Sequence, residues 1–371
     1  MPVRVLVVDD SALMRQIIGR MLREDSELEV VGTAYDGQNA LEKIERLDPD
    51  VITLDVAMPN MDGLECLSQI MDRHPLPVIM VSYLTTVGAA HTLKALELGA
   101  VDFVTKNISH DPAENTVIQH ELIQKVKVAA TIQGAKLRPV LAPFAAPAAP
   151  AGLVPAPLDP AALEVMVIGC STGGPRALHR LIPGLPAAFP VGIIVAQHMP
   201  RDFTRVFAQR LNDLSAVEVR EAQTGDVVRP GRVLIAPSGR QTTVRRNDQG
   251  LLELEVSELP NLLYKPSIDN LLHSLAGICA RRVLGVILTG MGIDGAQGLW
   301  ELRQLGARTI AEAEDSCVVY GMPRAAVEKG GVEFVESLPQ ILSRVFQILS
   351  EHGTAVSGWR SPDPNHQPES G

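Results

Sequence analysis

The sequence predicts an α/β protein built from two doubly wound, mostly parallel sheets. Short apolar runs rich in β-branched residues alternate with helical patterns along most of the 371 residues, and strand–helix alternation with short links is typical of parallel sheets. A charge-free stretch over 139–158 that contains six prolines separates two such series. Hydrophobic residues make up 46% of the chain and aromatic residues only 4%, so we expect largely aliphatic cores.

Each series is long enough to form its own domain. We expect a first domain over 1–125, a linker over 126–160, a second domain over 161–350 and a disordered tail over 351–371. The linker should be extended and semi-rigid and not a membrane span, because each proline removes a hydrogen-bond donor and blocks a regular helix. The tail is polar and contains three prolines, a composition that is typical of disorder.

The first series starts with a strand over 3–8 and a helix over 11–23 with Ser11 as its N-cap. Further strands are expected at 28–32, 51–54, 78–81 and 101–105, and further helices at 37–47, from 63, at 89–98 and at 114–130. In such folds the functional site lies beyond the carboxyl ends of the strands.

Polar side chains follow four of these strands. Asp9 and Asp10 come after the first strand, Asp55 after the third, Ser82 after the fourth and Lys106 after the fifth. Three carboxylates in one crevice repel each other, and a divalent cation with oxygen ligands, here Mg²⁺, relieves that repulsion. Asp55 could then accept a phosphoryl group as a nucleophile, with Lys106 and Ser82 balancing the charge. A single aspartate could be a merely solvated loop end, but the complete set favours the site.

The second series opens with a strand over 165–170 that turns sharply on glycines and enters a helix at Pro175. Proline is favoured in the first turn of a helix, so Ser171 lies beside the free N–H groups of a helix N-terminus. Residues 169–173 also fit the G-x-S-x-G nucleophile elbow. The alternative is a glycine turn that cradles a phosphate, although Ser171 replaces the second glycine of the dinucleotide fingerprint.

Strand–helix alternation continues along the second series. Strands are expected at 191–196, 283–289 and 308–311, and helices at 175–181, 200–211, 268–280 after the cap Ser267, 296–305, 322–329 and 338–350. Residues 215–256 are predicted to form additional strands, with turns at Gly225, Gly231, Gly239 and Gly250.

Ser171, His198 and Asp294 each follow a separate predicted strand, so their loops should gather on one edge of a sheet. They are the parts of acyl-transfer chemistry, in which His198 takes the proton of Ser171 and Asp294 orients the imidazole. Taken singly, His198 would more often be structural, and Asp294 could be the N-cap of a helix that begins with Gly295-Ala296-Gln297. The chain order Ser–His–Asp differs from that of the α/β-hydrolases.

The oxyanion of this chemistry needs N–H donors. The candidates are the N–H groups of Thr172 and Gly173 in the serine turn and of the Met291 loop. Cys170 is an alternative nucleophile, but we expect its side chain to point inward as a small hydrophobe. No cofactor is expected for this acyl-transfer chemistry.

Composition argues against several other classes of protein. The formal net charge is −10 and no basic stripe occurs, which argues against a nucleic-acid partner. The four cysteines show no C-x-x-C spacing, so we expect a reducing cytoplasm and neither a zinc site nor disulfides. No signal peptide is expected, because a strand followed at once by carboxylates occupies the amino terminus.

The first domain resembles the receiver domain of bacterial two-component response regulators, which has a flavodoxin-like fold. The resemblance rests on Val8-Asp9-Asp10-Ser11, Asp55, Met58-Pro59, Met61-Asp62-Gly63, Ser82 and Lys106. It implies that Asp55 receives a phosphoryl group from a histidine kinase. It also implies that Asp10, Asp55 and the carbonyl of Ala57 hold Mg²⁺, with Asp9 in the outer sphere.

The second domain resembles the CheB-type chemotaxis protein-glutamate methylesterases, which have a Rossmann-like α/β catalytic domain. The resemblance rests on GCSTGGP (169–175), QHMP (197–200), LTGMGIDG (288–295) and SCVVYGMP (316–323). It implies that Ser171 is the nucleophile, His198 the base and Asp294 the orienting acid. The family hydrolyses glutamyl methyl esters on methyl-accepting chemoreceptors and releases methanol, and many members also deamidate receptor glutamines.

Together the two resemblances cover nearly the whole chain. They imply an enzyme whose catalytic domain is controlled by its receiver domain. In the family the unphosphorylated receiver covers the active site and phosphorylation relieves this, and Ser82 and Phe103 occupy the positions that transmit the switch. The chain departs from the family at Asn107, where proline is usual, and at Ala57, where many relatives carry Glu. It also departs at Tyr264-Lys265, near the expected substrate groove, where a His-Arg-like pair is usual.

Two other functions compete with this interpretation. The chain could be a catalytically silent regulator whose second domain only binds a partner, but the complete triad argues against this. A DNA-binding response regulator would need a basic recognition helix, and the chain has none at a net charge of −10.

Overall fold

The computed structural model describes residues 1–83, 86–106, 112–132, 144, 162–258 and 262–351. They form one parallel sheet in the amino-terminal half and another in the carboxyl-terminal half. Asn107, most of the predicted linker and the predicted tail after residue 351 lie outside the described residues. Among the described residues, no helix is long and apolar enough to cross a membrane.

The first half contains the elements of a doubly wound sheet. In chain order they are β1 (Val3–Val8), α1 (Ala12–Arg23), β2 (Leu28–Ala34), α2 (Gly37–Leu47), β3 (Val51–Asp55), α3 (Gly63–Arg73), β4 (Val78–Ser82), α4 (Thr86–Leu98), β5 (Asp102–Thr105) and α5 (Pro112–Ala129). The strand order is β2-β1-β3-β4-β5, and neighbouring strands are parallel. The winding reverses between β1 and β3, so the crevice opens between Asp9 and Asp55.

The second half is wound in the same way around a longer sheet. Its elements are β6 (Val165–Cys170), α6 (Gly174–Leu181), β7 (Gly192–Gln197), α7 (Phe203–Leu214), β8 (Glu218–Glu221), β9 (Arg232–Ile235), β10 (Gln241–Arg246), β11 (Leu252–Ser257), α8 (Ile268–Cys279), β12 (Val283–Ile287), α9 (Ala296–Gln304), β13 (Arg308–Glu312), α10 (Met322–Glu328), β14 (Phe334–Glu336) and α11 (Leu338–Glu351). The parallel order is β14-β13-β12-β6-β7-β9-β8, and β10 and β11 form a separate antiparallel pair. The switch point between β6 and β12 brings the loops of Ser171 and Asp294 together.

The predicted fold class is confirmed, and most predicted elements lie within a few residues of the observed ones. Ser11 accepts a hydrogen bond from the Met14 N–H as the N-cap of α1, and the turn at Gly225 has a φ of +92° that only glycine adopts freely. Strand β14 was not predicted from the sequence, because a three-residue edge strand has too little periodicity to be recognised. The exact domain boundaries stay a prediction.

The two halves of the chain pack against each other. Helix α4 contacts α6 and α7, and the ring of Phe103 in β5 stacks on that of Phe203 with 4.6 Å between centroids. Both rings are buried. Since Phe203 begins the helix that follows the His198 loop, the contact connects the first sheet to one of the loops that carry the predicted triad.

Candidate active site and phosphorylation site

Ser171 lies on the turn between β6 and α6. Its N–H donates to the carbonyl of Thr289 (3.1 Å), and its own carbonyl accepts from the N–H of Gly174 (2.8 Å). Gly173 has a φ of +82°, and a Cβ at that position would lie 2.6 Å from the Val318 side chain. The strand therefore ends in a tight turn that requires glycine and leaves Ser171 half-buried at the carboxyl edge of the sheet.

His198 follows β7, the strand next to β6. Its N–H donates to the carbonyl of Cys170 (3.1 Å). The carboxamide of Gln197 donates to the carbonyl of Ser171 (3.0 Å) and to that of His198 (2.8 Å). Hydrogen bonds thus hold the nucleophile loop and the histidine loop together.

Asp294 follows β12 and contacts the His198 ring, with 2.9 Å between Oδ2 and Nε2. The carboxylate also accepts from the Ser267 hydroxyl (3.1 Å) and from the N–H groups of Ile268 (2.7 Å) and Asp269 (3.0 Å) at the start of α8. Burial by itself would raise the pKa of Asp294, but these hydrogen bonds outweigh it and the pKa lies below its usual value. Asp294 is therefore an ionised partner of fixed orientation for the imidazole.

The alternative reading of Asp294 as the N-cap of the following helix is wrong. The N-cap of α9 is Gly295, which has a φ of +91° and makes no side-chain capping bond. The carboxylate turns instead toward the N-terminus of α8, because the switch point of the sheet places that helix beside the β12 loop.

Tyr264 covers one face of the His198 ring. The two rings are 4.5 Å apart between centroids, and their planes differ by 2°. The buried side chain of Gln241 donates to the carbonyl of Tyr264 (2.6 Å) and accepts from the N–H of Ser267 (2.9 Å). The segment 264–267, which Gln241 holds at both ends, therefore places Tyr264 against the imidazole and Ser267 against Asp294.

The predicted oxyanion donors lie in two loops that touch. Thr172 and Gly173 directly follow Ser171, and Met291 lies in the loop after β12. A Cβ at Gly290 would lie 2.8 Å from the Cβ of Ser171, so the Met291 loop approaches the serine turn closely only because residue 290 is glycine. Thr172 and Gly173 therefore adjoin Ser171 in the chain, and the loop that contains Met291 meets the serine turn at Gly290.

Cys170 points inward, as expected. Its side chain is buried, and its Sγ lies 3.0 Å from Oε1 of Gln197. Burial raises the pKa of the thiol far above its usual value, so the reactive thiolate is not populated near neutral pH. This leaves Ser171 as the nucleophile candidate of the turn.

The acidic cluster at the edge of the first sheet has the composition of a cation site. Carboxylate oxygens of Asp9, Asp10 and Asp55 lie within 4.8 Å of one another. The Lys106 ammonium lies 2.7 Å from Asp9 and 2.6 Å from Asp55, and the N–H of Ala57 donates to Asp55 (3.4 Å). A set of hard oxygen donors with more negative than positive charge fits a divalent cation.

Burial and the hydrogen bonds of Lys106 act in opposite directions on the pKa values of this cluster. It raises the pKa of Asp55, and the hydrogen bond from Lys106 offsets only part of this effect. Burial would lower the pKa of Lys106, but its hydrogen bonds to Asp55 and Asp9 outweigh burial, so the pKa is raised. Lys106 therefore remains a cation beside Asp55.

Of the two predicted switch residues, Phe103 contacts the second half of the chain. Ser82 and Phe103 are both buried, and Phe103 stacks on Phe203. The next contact was not foreseen from the sequence: the hydroxyl of Thr172 donates to the carboxylate of Asp102. A residue of β5 thus contacts the residue directly after Ser171.

Glu97 of α4 was also missed. Its carboxylate accepts two hydrogen bonds from Arg210 of α7, each 2.6 Å long, and lies 3.3 Å from Nδ1 of His179 in α6. Burial lowers the pKa of His179 to about 4, so its imidazole is neutral near pH 7. Glu97 contacts both helices behind the catalytic loops, and nothing in the pattern of α4 distinguishes it from a solvated glutamate.

Known families match each half of the chain, and known proteins match nearly its whole length. The family model described as CheB methylesterase matches residues 166–345, and that of the response regulator receiver domain matches residues 5–117. A protein-glutamate methylesterase/protein-glutamine glutaminase of Oleidesulfovibrio alaskensis is 44% identical over 94% of this chain and 99% of its own length. A protein of the same name from Symbiobacterium thermophilum is 46% identical over 94% of this chain and 98% of its own length.

A solved structure also matches the second half. The crystal structure of the Thermotoga maritima CheB methylesterase catalytic domain is 37% identical in sequence, with a TM-score of 0.49. The matched region covers 50% of this chain and 98% of the crystallised domain.

Proposed function

The chain belongs to the CheB methylesterase family, and we propose that it is a phosphorylation-gated serine hydrolase that demethylates glutamyl methyl esters of methyl-accepting chemoreceptors. The observation that carries the catalytic part is the Asp294–His198 pair beside the turn of Ser171, with 2.9 Å between carboxylate and imidazole. The substrate class is supported by the relatives, which are named protein-glutamate methylesterases and match this chain over 94% of its length.

In the proposed reaction Ser171 Oγ attacks the ester carbonyl carbon. Because Nε2 of His198 is paired with Asp294, Nδ1 is the ring nitrogen that accepts the serine proton. Collapse of the tetrahedral intermediate breaks the bond to the methoxy oxygen, which leaves as methanol with the proton from His198. Water then attacks the acyl-enzyme with His198 as base, and glutamate is released with Ser171 regenerated.

The same machinery acts on a carboxamide. Attack of Ser171 on a glutamine side chain gives the same acyl-enzyme, and His198 protonates the departing nitrogen, which leaves as ammonia. The relatives support this second activity, because their names include protein-glutamine glutaminase. We propose N–H groups of Thr172, Gly173 and Met291 as the donors that stabilise the oxyanion in both reactions.

Control by the receiver is the second part of the proposal. Asp55 is proposed to take a phosphoryl group from a phosphohistidine of a histidine kinase, with Asp10, Asp55 and the carbonyl of Ala57 holding Mg²⁺. The bound cation would offset negative charge on the transferred phosphoryl group. Lys106 stays charged beside Asp55 and would bind a phosphoryl oxygen. The contacts of Phe103 and Asp102 with the second domain support a path from this site to the catalytic loops.

Methanol release tests the proposal directly. Full-length protein is mixed with methylated receptor membranes, with and without a small phosphodonor and Mg²⁺. We expect activity that rises with the phosphodonor, keeps its basal level but not the rise in Asp55→Asn, and vanishes in Ser171→Ala. Asp72→Asn, at an exposed position of α3, should behave as wild type. Full methanol release by Ser171→Ala would refute the proposed nucleophile.

A further inference from the structure

Gln197 is a buried side chain whose carboxamide is fully hydrogen-bonded between the ends of β6 and β7. Its Nε2 donates to the carbonyls of Ser171 (3.0 Å) and His198 (2.8 Å), and its Oε1 lies 3.0 Å from the thiol of Cys170. A Cβ at Gly174 would lie 2.1 Å from this Oε1. The turn therefore needs a glycine at position 174, where the Gln197 carboxamide lies against it. The two N–H groups of that carboxamide donate to the carbonyls of the residues proposed as nucleophile and base.

The first of these bonds fixes the direction of an N–H group. The carbonyl of Ser171 and the N–H of Thr172 belong to one planar trans peptide, in which they point in opposite directions. Gln197 and the N–H of Gly174 both hold that carbonyl. The Thr172 N–H must therefore point away from Gln197.

The next peptide is held in a similar way from the β12 loop. The hydroxyl of Thr289 donates to the carbonyl of Thr172 (2.9 Å), which sets the direction of the Gly173 N–H. Two buried side chains, Gln197 and Thr289, thus orient the two consecutive N–H groups that the proposed mechanism uses for the oxyanion. Oxyanion donors act only if they are aligned before charge develops.

We propose that Gln197 is a positioning residue that aims the Thr172 N–H at the oxyanion and holds the His198 loop at a fixed distance from Ser171. The inference rests on the proposed function of the site. Without the two donors of Gln197, the carbonyl of His198 loses this partner and that of Ser171 keeps only the N–H of Gly174, so both peptides are held less firmly. Since the substrate need not touch Gln197, the loss should fall on the chemical step and not on substrate binding.

The test compares Gln197→Met with wild type in the full-length, phosphodonor-treated protein. Methionine has a similar length and no donor, so we expect kcat for methanol release to fall roughly 10- to 100-fold, as for a misaligned catalytic group, with KM nearly unchanged. Gln197→Glu places a carboxylate against two carbonyls and should lose at least as much. The matched control is Thr309→Val, which removes a buried hydroxyl that accepts from the backbone N–H of Glu333 (2.9 Å) in the β13–β14 part of the sheet.

Labelling of Ser171 by a fluorophosphonate separates this inference from the proposed function, since that reaction needs the nucleophile and the oxyanion donors but no receptor. If wild type is labelled but releases no methanol, the proposed substrate is wrong, and the labelling rate of Gln197→Met alone decides the inference. Equal labelling rates, equal kcat values, or an equal loss of kcat in Thr309→Val would overturn it. A wild-type chain that is neither labelled nor active overturns both.

Discussion

Replacing Glu97 by glutamine should raise the activity of the unphosphorylated chain. Glu97 of α4 contacts both α6 and α7, through His179 and Arg210. The substitution keeps the size of the side chain and removes its charge. The docked arrangement of the two domains is weakened, while the triad and the acidic cluster of the receiver remain as they are.

The magnitude follows from the Arg210 pair. Hydrogen bonds to charged groups contribute about 1.5–3 kcal/mol, whereas fully exposed ion pairs contribute about 1 kcal/mol or less. The Glu97 and Arg210 side chains are 17% and 30% exposed, which places the pair between these two cases. We therefore take about 1.5 kcal/mol as the contribution of the pair to docking. Because about 1.4 kcal/mol is a factor of ten in an equilibrium, the undocked fraction and the basal activity should rise about tenfold.

The assay is methanol release from methylated receptor membranes without a phosphodonor. Glu45→Gln, at an exposed position of α2, is the control and should keep the wild-type rate. The exchanged pair Glu97→Arg with Arg210→Glu should return toward it. Wild-type basal activity in Glu97→Gln, combined with normal activation by the phosphodonor, would refute the assignment of Glu97 as a docking residue.

Three further substitutions probe the domain contact, the buried histidine and the imidazole stack. Phe203→Leu removes a ring stacked on Phe103, and since such a pair contributes about 0.5–1.5 kcal/mol, methanol release without phosphodonor should rise roughly two- to tenfold. Burial lowers the pKa of His179 from 6.5 to about 4, so the unfolded chain binds the proton more readily and stability falls as the pH drops. Between pH 7 and pH 5 this loss is about 2 kcal/mol, and His179→Gln should remove it from urea unfolding curves. Tyr264→Ala uncovers one face of His198 and should lower kcat roughly tenfold with little change in melting temperature.

Each of these predictions has a control. Phe346→Leu breaks an edge-to-face pair with Phe189 and should leave basal activity unchanged. Phe207→Leu removes a ring that packs against His179 but no titratable group, so it should lower stability and keep the fall in stability at low pH. A wild-type slope in the His179 variant would contradict burial as its cause. Tyr264→Phe retains the ring and should retain kcat; equal losses in the phenylalanine and alanine variants would contradict the stacking argument.

Much of the fold and the identity of the site residues could be predicted from the sequence alone. Alternating apolar runs and helical patterns fix strand and helix positions through local backbone preferences and one-sided burial. A parallel sheet then brings the residues after its strands to one edge, which is why the sequence alone groups Ser171 with His198 and Asp294, and Asp9 with Asp55. The alternation sets which elements form and which edge carries the loops.

The remaining contacts were decided only by the tertiary structure. Gln197 binds two carbonyls, Tyr264 lies flat on His198, and Glu97 reaches an arginine that is 113 positions away in the sequence. Such contacts require loops and domains to be placed relative to one another to within a few tenths of an ångström. No local sequence pattern encodes that placement. A glutamine at a strand end, a tyrosine in a loop and a glutamate on a helix look ordinary in the sequence, because their partners come beside them only when the sheets form and the domains dock.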